Sequence, residues 1–138
     1  MPMNIRFILA AACVASAVPA AVSARSRSET VTAKFNQAIP NIPGKSLIAV
    51  EVDYAPGQAS SPHTHAKSAF IFAFVISGEI ESKVNDGPRR IFKAGESWSE
   101  DPGATHSISR NPSKTKPAKL LAVFVVGSDD KALTTPIK

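Results

Sequence analysis

The segment Gly57–Gly78, GQASSPHTHAKSAFIFAFVISG, carries the strongest signals for both fold and site in this sequence. It places His63 and His65 one residue apart, after a turn rich in serine and proline, and the third and last histidine, His106, follows in the segment DPGATH. On an extended strand, residues i and i+2 point to the same side. Neutral imidazole binds zinc, copper, iron and nickel. The sequence therefore predicts a metal site built from the three histidines; the alternative is that they only make local hydrogen bonds.

Residues 1–24 have the three parts of a secretory signal peptide. A short basic start with Arg6 precedes an uncharged apolar segment, and Val22-Ser23-Ala24 supplies the small residues that precede a cleavage site. A membrane anchor is the alternative, but the apolar segment is too short to span about 30 Å of hydrocarbon. The sequence predicts export to a bacterial periplasm or to the outside, with no membrane association after cleavage.

The single cysteine, Cys13, lies inside this predicted signal peptide. Cleavage would leave a chain without disulfides, thiolate ligands or a cysteine nucleophile. The remaining chain has the size of one domain. Its basic residues, part of a formal net charge of +5 for the whole sequence, are scattered. Nucleic-acid binding would require a basic stripe with interleaved aromatic residues, so we do not expect a nucleic-acid partner.

Short extended segments follow one another along the chain and are separated by turn signals. Strands are predicted near residues 46–53, 63–65, 70–76, 79–85, 89–93, 96–100, 106–109 and 120–126. No sustained helical period occurs outside the signal peptide, so the pattern predicts an all-β sandwich or small barrel. We expect residues 25–45 to be an N-terminal extension or loop, residues 46–127 to form the barrel, and residues 128–138 to be a C-terminal tail.

Two groups of residues resemble, in order and spacing, the two sequence motifs of the cupins. The first group is Gly57, His63, His65 and Gly78; the second is Gly95, the segment Pro102-Gly103-Ala104-Thr105-His106, and Asn111. The resemblance to a small single-domain cupin implies an all-β jelly-roll barrel in one domain. It also implies a divalent transition metal held by His63, His65 and His106.

One position departs from the cupin pattern. Cupins of this type usually place a glutamate seven residues before the closing glycine, and Ile71 occupies that position here. Glu100, six residues before His106, is the candidate replacement. It could be a fourth metal ligand, a catalytic acid or base, or a hydrogen-bond partner of a ligand histidine. The alternative is an exposed carboxylate at the rim of the barrel.

The segment 70–76 is apolar on both faces, and a strand of this kind is expected to be buried on both. If the face of Ile71 lines the interior, then Phe70, Phe72 and Phe74 point out of the barrel, and a second subunit or the N-terminal segment should cover them. A shift of one residue reverses this assignment. We predict a homodimer, and we expect Phe92, Trp98 and Phe124 to be core residues.

Two functions remain open at this stage. The first is an exported metal-binding cupin that binds or converts a small molecule, with zinc, copper, iron, manganese or nickel as the metal. If it is an enzyme, the resemblance implies an oxygenase- or isomerase-like reaction. The second is a non-catalytic cupin that binds a sugar or metabolite and has a vestigial metal site.

Overall fold

Residues 29–138 are described by a computed structural model and form ten β-strands. The predicted signal peptide and Cys13 lie outside the described residues. The strands are β1 (Thr30–Ala38), β2 (Lys45–Tyr54), β3 (His63–His65), β4 (Phe70–Ser77), β5 (Glu79–Val84), β6 (Arg90–Lys93), β7 (Ser97–Glu100), β8 (Thr105–Arg110), β9 (Ala118–Gly127) and β10 (Thr134–Pro136). None of the described residues belongs to a helix with the length and hydropathy of a membrane span.

The strands form two five-stranded antiparallel sheets. One sheet has the order β1-β2-β9-β4-β7, and the other has the order β10-β3-β8-β5-β6. In β9, every second side chain is buried, from Ala118 to Val126. This period of two directs one face of the strand into the core between the sheets. The all-β jelly-roll barrel in one domain that the sequence predicts is confirmed.

Strand β4 has one buried face and one exposed face. Ile71, Ala73 and Val75 are at most 1% exposed and point into the barrel. On the other face, Phe70 is 46% exposed and Phe72 is 44% exposed. The expectation that this strand is buried on both faces is therefore wrong for the single chain. The conditional prediction that Ile71 lines the interior while the phenylalanines point outward is confirmed.

Two strands lie where the sequence predicts a loop and a tail. β1 falls within residues 25–45 and pairs with β2, from Thr30↔Asp53 to Ala38↔Ser46. β10 falls within residues 128–138 and pairs with β3, the strand that carries two of the histidines. All residues of both strands are exposed. Because neither strand has a buried face, neither shows the apolar alternation by which strands are recognised in a sequence.

The turn at Gly78 brings β4 and β5 close to the start of β9. Gly78 has a φ of +70°, and a Cβ atom at this position would lie 2.5 Å from the carbonyl oxygen of Pro117. Only glycine adopts this backbone conformation without strain and leaves room for the neighbouring chain. The glycine that closes the first motif therefore has a steric role in the connection between the two sheets.

Candidate metal centre

The structure brings the three histidines together inside the barrel. His63 and His65 lie on β3, and His106 lies on β8, where it is the direct cross-strand neighbour of His63. One possible ligand nitrogen from each ring can be chosen so that all three lie within 4.8 Å of one another. His65 and His106 are buried, and His63 is half-buried. The grouping of these histidines, predicted from their spacing, is thus present in the fold.

Glu100 lies beside the histidines and is 3% exposed. Its Oε2 is 2.8 Å from Nε2 of His65, and its Oε1 is 3.3 Å from Nδ1 of His106. The indole nitrogen of Trp98 donates a hydrogen bond of 3.0 Å to Oε1. Glu100 is therefore not an exposed rim carboxylate. A direct role for it in metal binding or catalysis stays a prediction.

The position of Glu100 follows from the pairing of β4 with β7. In that pairing, Ile71 and Glu100 are direct cross-strand neighbours, and both are buried. Side chains opposite each other on one face of an antiparallel pair have Cβ atoms about 5 Å apart. A buried carboxylate therefore lies directly opposite Ile71, one strand away.

Two hydrogen bonds orient the imidazole rings. Nδ1 of His63 donates to the carbonyl oxygen of Ser61 at 2.8 Å, which leaves the lone pair of Nε2 free. Nε2 of His106 lies 2.8 Å from Oγ of Ser82. When Nε2 carries the hydrogen and donates to Ser82, the lone pair of Nδ1 faces Glu100. Partners of this kind fix the tautomer and the orientation of a ligand histidine.

The environment favours neutral imidazoles next to an ionised carboxylate. Burial lowers the pKa of His106 to about 4, and the charge of Glu100 opposes only part of this shift. Burial also lowers the pKa of His63, although its hydrogen bond to Ser61 acts in the other direction. Burial alone would raise the pKa of Glu100, but its contact with His65 and the charge of His106 outweigh burial and lower it. Neutral histidine and ionised glutamate are the forms that bind a metal.

Several buried polar atoms at this point have no hydrogen-bond partner among the described residues. They are both ring nitrogens of His65 and Oε2 of Glu100. Although His65 Nε2 and Glu100 Oε2 are only 2.8 Å apart, the two groups are not aligned for a hydrogen bond. Two ligand atoms, each roughly 2.1 Å from one ion, lie about 3 Å apart when they are adjacent in its coordination sphere. The spacing of His65 Nε2 and Glu100 Oε2 therefore fits two adjacent ligands of a divalent transition metal.

A cavity of about 470 Å³ adjoins these side chains. Its size is that of a small-molecule site. Most of its apolar wall comes from the first sheet and includes Val50, Val52, Ile71, Ala73, Leu120, Ala122 and Phe124. Leu133, Thr134 and Pro136, in and next to β10, also line it. The histidines and Glu100 thus meet a space in which a small ligand can reach them.

The sequence did not identify the residues that support the site. Ser82 on β5 is 2% exposed and contacts His106 from the neighbouring strand. Trp98 is half-buried against the core, as expected, but it also donates to Glu100. Phe92 and Phe124 are buried core residues, and the Phe124 ring centroid is 5.8 Å from that of His65. A serine in a strand gives no local signal that its neighbour on the next strand is a histidine.

Comparisons with known proteins agree with this architecture. Over 82 residues, the chain is 38% identical to oryzines biosynthesis cluster protein J of Aspergillus oryzae, an alignment that covers 59% of the chain and 43% of that protein. The chain spans less than half the length of the curated relatives it matches.

Solved structures share the fold at low sequence identity. A conserved protein with a double-stranded β-helix domain from Klebsiella pneumoniae matches with a TM-score of 0.63 and 22% identity, over 80% of this chain and 88% of that one. Oxalate oxidase in complex with glycolate matches with a TM-score of 0.57 and 24% identity, over 75% of this chain and 53% of that one. The model of the cupin domain matches residues 50–124, more than half of the chain. The chain therefore belongs to the cupin family.

Proposed function

We propose that the protein binds a divalent transition metal through His63, His65 and His106, with Glu100 as a fourth ligand, and uses it to bind or convert a small molecule. The observation that carries this proposal is the convergence of these groups around buried atoms that have no hydrogen-bond partner. Leaving such atoms unpaired in a protein interior is unfavourable by about 1–3 kcal/mol for each group. A single metal ion would satisfy Nε2 of His65 and Oε2 of Glu100 together.

A metal held by imidazole and carboxylate groups would supply a Lewis acid, or a site for oxygen if it is redox-active. The chain itself supplies a water-poor apolar wall and the negative charge of Glu100. Glu100 is also a carboxylate in the cavity wall that could accept a proton from a ligand. The oxalate oxidase neighbour holds glycolate, and a small oxygen-bearing ligand is the class that we propose here as well.

The metal remains open among zinc, copper, iron, manganese and nickel. Imidazole ligands without thiolates, together with loading outside the cytoplasm, favour zinc or copper by affinity. If the protein is an enzyme, an oxygenase- or isomerase-like reaction is the proposed class.

The second candidate function is a non-catalytic cupin that binds a sugar or metabolite and has a vestigial metal site. Ile71 at the usual glutamate position favours this reading. Metal content distinguishes the two functions.

The test is to purify the protein beginning at Arg25, measure its metals by mass spectrometry, and record its melting temperature with each of the five ions. Under the metal-dependent proposal, we expect close to one equivalent of metal per chain and a rise in melting temperature with the preferred ion. His63→Ala should abolish both effects. Thr64→Ala, on the same strand between the two ligands, is the matched control and should behave as the unchanged protein. Less than a tenth of an equivalent, with no thermal shift for any ion, would refute the metal-dependent function.

We also propose that residues 1–24 direct export and are removed. N-terminal sequencing of the protein recovered from a periplasmic extract should then begin at Arg25. A full-length chain in the cytoplasmic fraction would contradict the proposal.

A second copy of the chain is the proposed partner of the phenylalanine face, which we define as Phe70, Phe72 and Phe74 of β4 with Leu121, Val123 and Val125 of β9. On the outer side of the sheet, each of these phenylalanines is the cross-strand neighbour of one of the three β9 residues. The face contains no charged side chain, so it presents nothing that repels an identical face about a two-fold axis. Light scattering should give the mass of a dimer, and Phe72→Lys should give a folded monomer. A monomeric unchanged protein at 100 µM would refute this proposal.

A further inference from the structure

A chain of three hydroxyl groups lines the same cavity as the histidines. Oη of Tyr54 lies 2.7 Å from Oγ of Ser60 and 2.8 Å from Oγ of Ser109. Tyr54 is 2% exposed and Ser109 is 4% exposed, whereas Ser60 is half-buried. All three residues line the cavity. The metal proposal assigns none of these hydroxyls a role.

The hydrogen count leaves one donor unused in this hydroxyl chain. Each hydroxyl carries one hydrogen, so three hydroxyls carry three, and the two contacts use two of them. Within residues 29–138, neither serine hydroxyl has a hydrogen-bond partner other than Tyr54. Either oxygen of each contact can donate, so an acceptor placed beside Ser109 favours the arrangement in which Ser60 donates to Tyr54 and Tyr54 donates to Ser109. The unused hydrogen then belongs to the buried hydroxyl of Ser109.

Ser109 and His106 are placed on the same inner wall by an irregularity in β8. The pairing with β5 shifts register between Lys83↔Ile108 and Val84↔His106, so no residue of β5 is paired in register with Ser107. This extra residue lets positions 106 and 109 face the same side, although strict alternation would oppose them. Their separation along the strand is roughly 10 Å at about 3.3 Å per residue. A ligand molecule that consists of one ring with one substituent can span this distance, if one end binds the metal and the other end accepts a hydrogen bond from Ser109.

The charge of the cavity restricts what Ser109 can bind. Among the described residues that line it, none is lysine or arginine, and both Glu29 and Glu100 are acidic. A second carboxylate buried away from the metal would have no counter-charge, which is strongly unfavourable. A carbonyl, ester or amide oxygen accepts a hydrogen bond without that penalty.

We propose that Ser109 selects the ligand of this cavity by donating a hydrogen bond to a neutral oxygen acceptor at the end remote from the metal. The ligand class is therefore a small, mostly apolar molecule with a metal-binding oxygen at one end and a neutral carbonyl-type oxygen at the other. This inference rests on the proposed metal site, because the metal fixes the first end of the ligand.

The test uses zinc-loaded protein, since zinc does not oxidise the probes, and three catechols that share one metal-binding end. The probes are 4-acetylcatechol, which has a neutral acceptor, 4-ethylcatechol, which has none, and 3,4-dihydroxybenzoate, which has an anionic one. Binding is measured by calorimetry. The three catechols differ in acidity, but these differences are the same for every protein variant. The readout is therefore the ratio of the dissociation constants of two catechols, compared between the unchanged protein and each variant.

Ser109→Ala is expected to reduce the preference for 4-acetylcatechol over 4-ethylcatechol by about tenfold, the value of one hydrogen bond. Ser109→Thr, which keeps the hydroxyl, should retain the preference. Ser46→Ala is the matched control, because it removes a buried hydroxyl that pairs with Ser128 outside the cavity. If Ser109→Ala does not fold, Ser109→Cys, with its weak thiol donor, should show the same loss. In the unchanged protein, 3,4-dihydroxybenzoate should bind more weakly than 4-acetylcatechol.

The outcomes separate this inference from the metal proposal. If the protein retains no zinc, the metal proposal fails and the selection by Ser109 fails with it. If zinc is retained but no catechol binds, the metal proposal stands and the ligand class proposed for this cavity is refuted. If zinc and all three catechols bind but Ser109→Ala leaves the ratio within twofold of the unchanged protein, the metal proposal stands and the role of Ser109 is refuted. Tighter binding of 3,4-dihydroxybenzoate than of 4-acetylcatechol would also refute the neutral-acceptor class.

Discussion

Removal of the charge on Glu100 should weaken metal binding far more than removal of an exposed carboxylate. Glu100 lies 2.8 Å from His65 Nε2 and 3.3 Å from His106 Nδ1. Its charge therefore acts within about 4 Å of any ion held by those rings. Two unit charges at that distance interact by about 4 kcal/mol at an effective dielectric constant of 20, which corresponds to about 1,000-fold in affinity and is a lower bound for a divalent ion. A carboxylate that only supports a ligand histidine would contribute about 10- to 100-fold.

The assay is a competition for zinc between the metal-free protein and a fluorescent chelator at pH 7.5. We expect Glu100→Gln to raise the dissociation constant at least about 1,000-fold. Glu96→Gln is the control, because Glu96 is exposed and its glutamine can still accept the hydrogen bond from the Lys93 amide. If Glu100→Gln binds zinc within threefold of the unchanged protein, the assignment of Glu100 to the metal centre is wrong.

An exchange between neighbouring strands tests whether Glu100 replaces the glutamate that is absent at Ile71. Ile71 and Glu100 are opposite each other and both point inward. The double substitution Ile71→Glu with Glu100→Ile therefore moves the carboxylate by about 5 Å along the same wall. We expect the double variant to bind zinc within about tenfold of the unchanged protein. A double variant as weak as Glu100→Gln would refute the equivalence of the two positions.

Three further predictions follow from the geometry. In urea titrations, Gly78→Ala should lower the free energy of unfolding by about 3 kcal/mol, because of backbone strain and the contact with Pro117. Gly95→Ala should lower it by only about 1 kcal/mol, because Gly95 has a φ of +88° but no neighbouring atom that a Cβ would meet. Because burial lowers the pKa of His106 from 6.5 to about 4, the unfolded chain takes up this proton first. The metal-free protein should therefore lose about 2 kcal/mol of unfolding free energy between pH 7 and pH 5, and His106→Gln should flatten this dependence. Ending the chain after Lys131 removes β10 from the edge of β3 and should weaken zinc binding at least tenfold, while ending it after Ile137 should have no effect.

Local sequence patterns predict most of the barrel because its central strands bury one face. The strands predicted near residues 46–53, 70–76 and 120–126 appear as β2, β4 and β9, and they differ only at their ends. Apolar residues alternate with polar ones where a strand buries one face, so this alternation, with the turn residues between strands, can be seen in the sequence. β1 and β10 are missed because they are held by backbone pairing at sheet edges, with all their side chains exposed.

The site is predictable to the extent that its residues are close in the sequence or belong to a known motif. The grouping of His63, His65 and His106 could be predicted from spacing. Glu100 could be named as a candidate from its position before His106. Whether it is buried beside the histidines or exposed at the rim could not be predicted, because that depends on the register between β4 and β7, which no local pattern contains. Ser82 and Ser109 were missed for the same reason, since their partners are set by pairing between distant segments.

The place of β3 in its sheet determines when the proposed metal could be acquired during the life of the protein. β3 has three residues and lies between β8 and β10, and Thr64 is separated from Thr135, its neighbour on β10, by 71 residues. On the ribosome, neither flanking strand has been made when the two histidines emerge, so the nascent chain cannot hold their imidazoles in a fixed arrangement. Long-range pairing of this kind forms late in folding, and a site that exists only in the folded state binds its ion only then. If the protein binds a metal as proposed, the compartment in which folding is completed therefore decides which ion it receives.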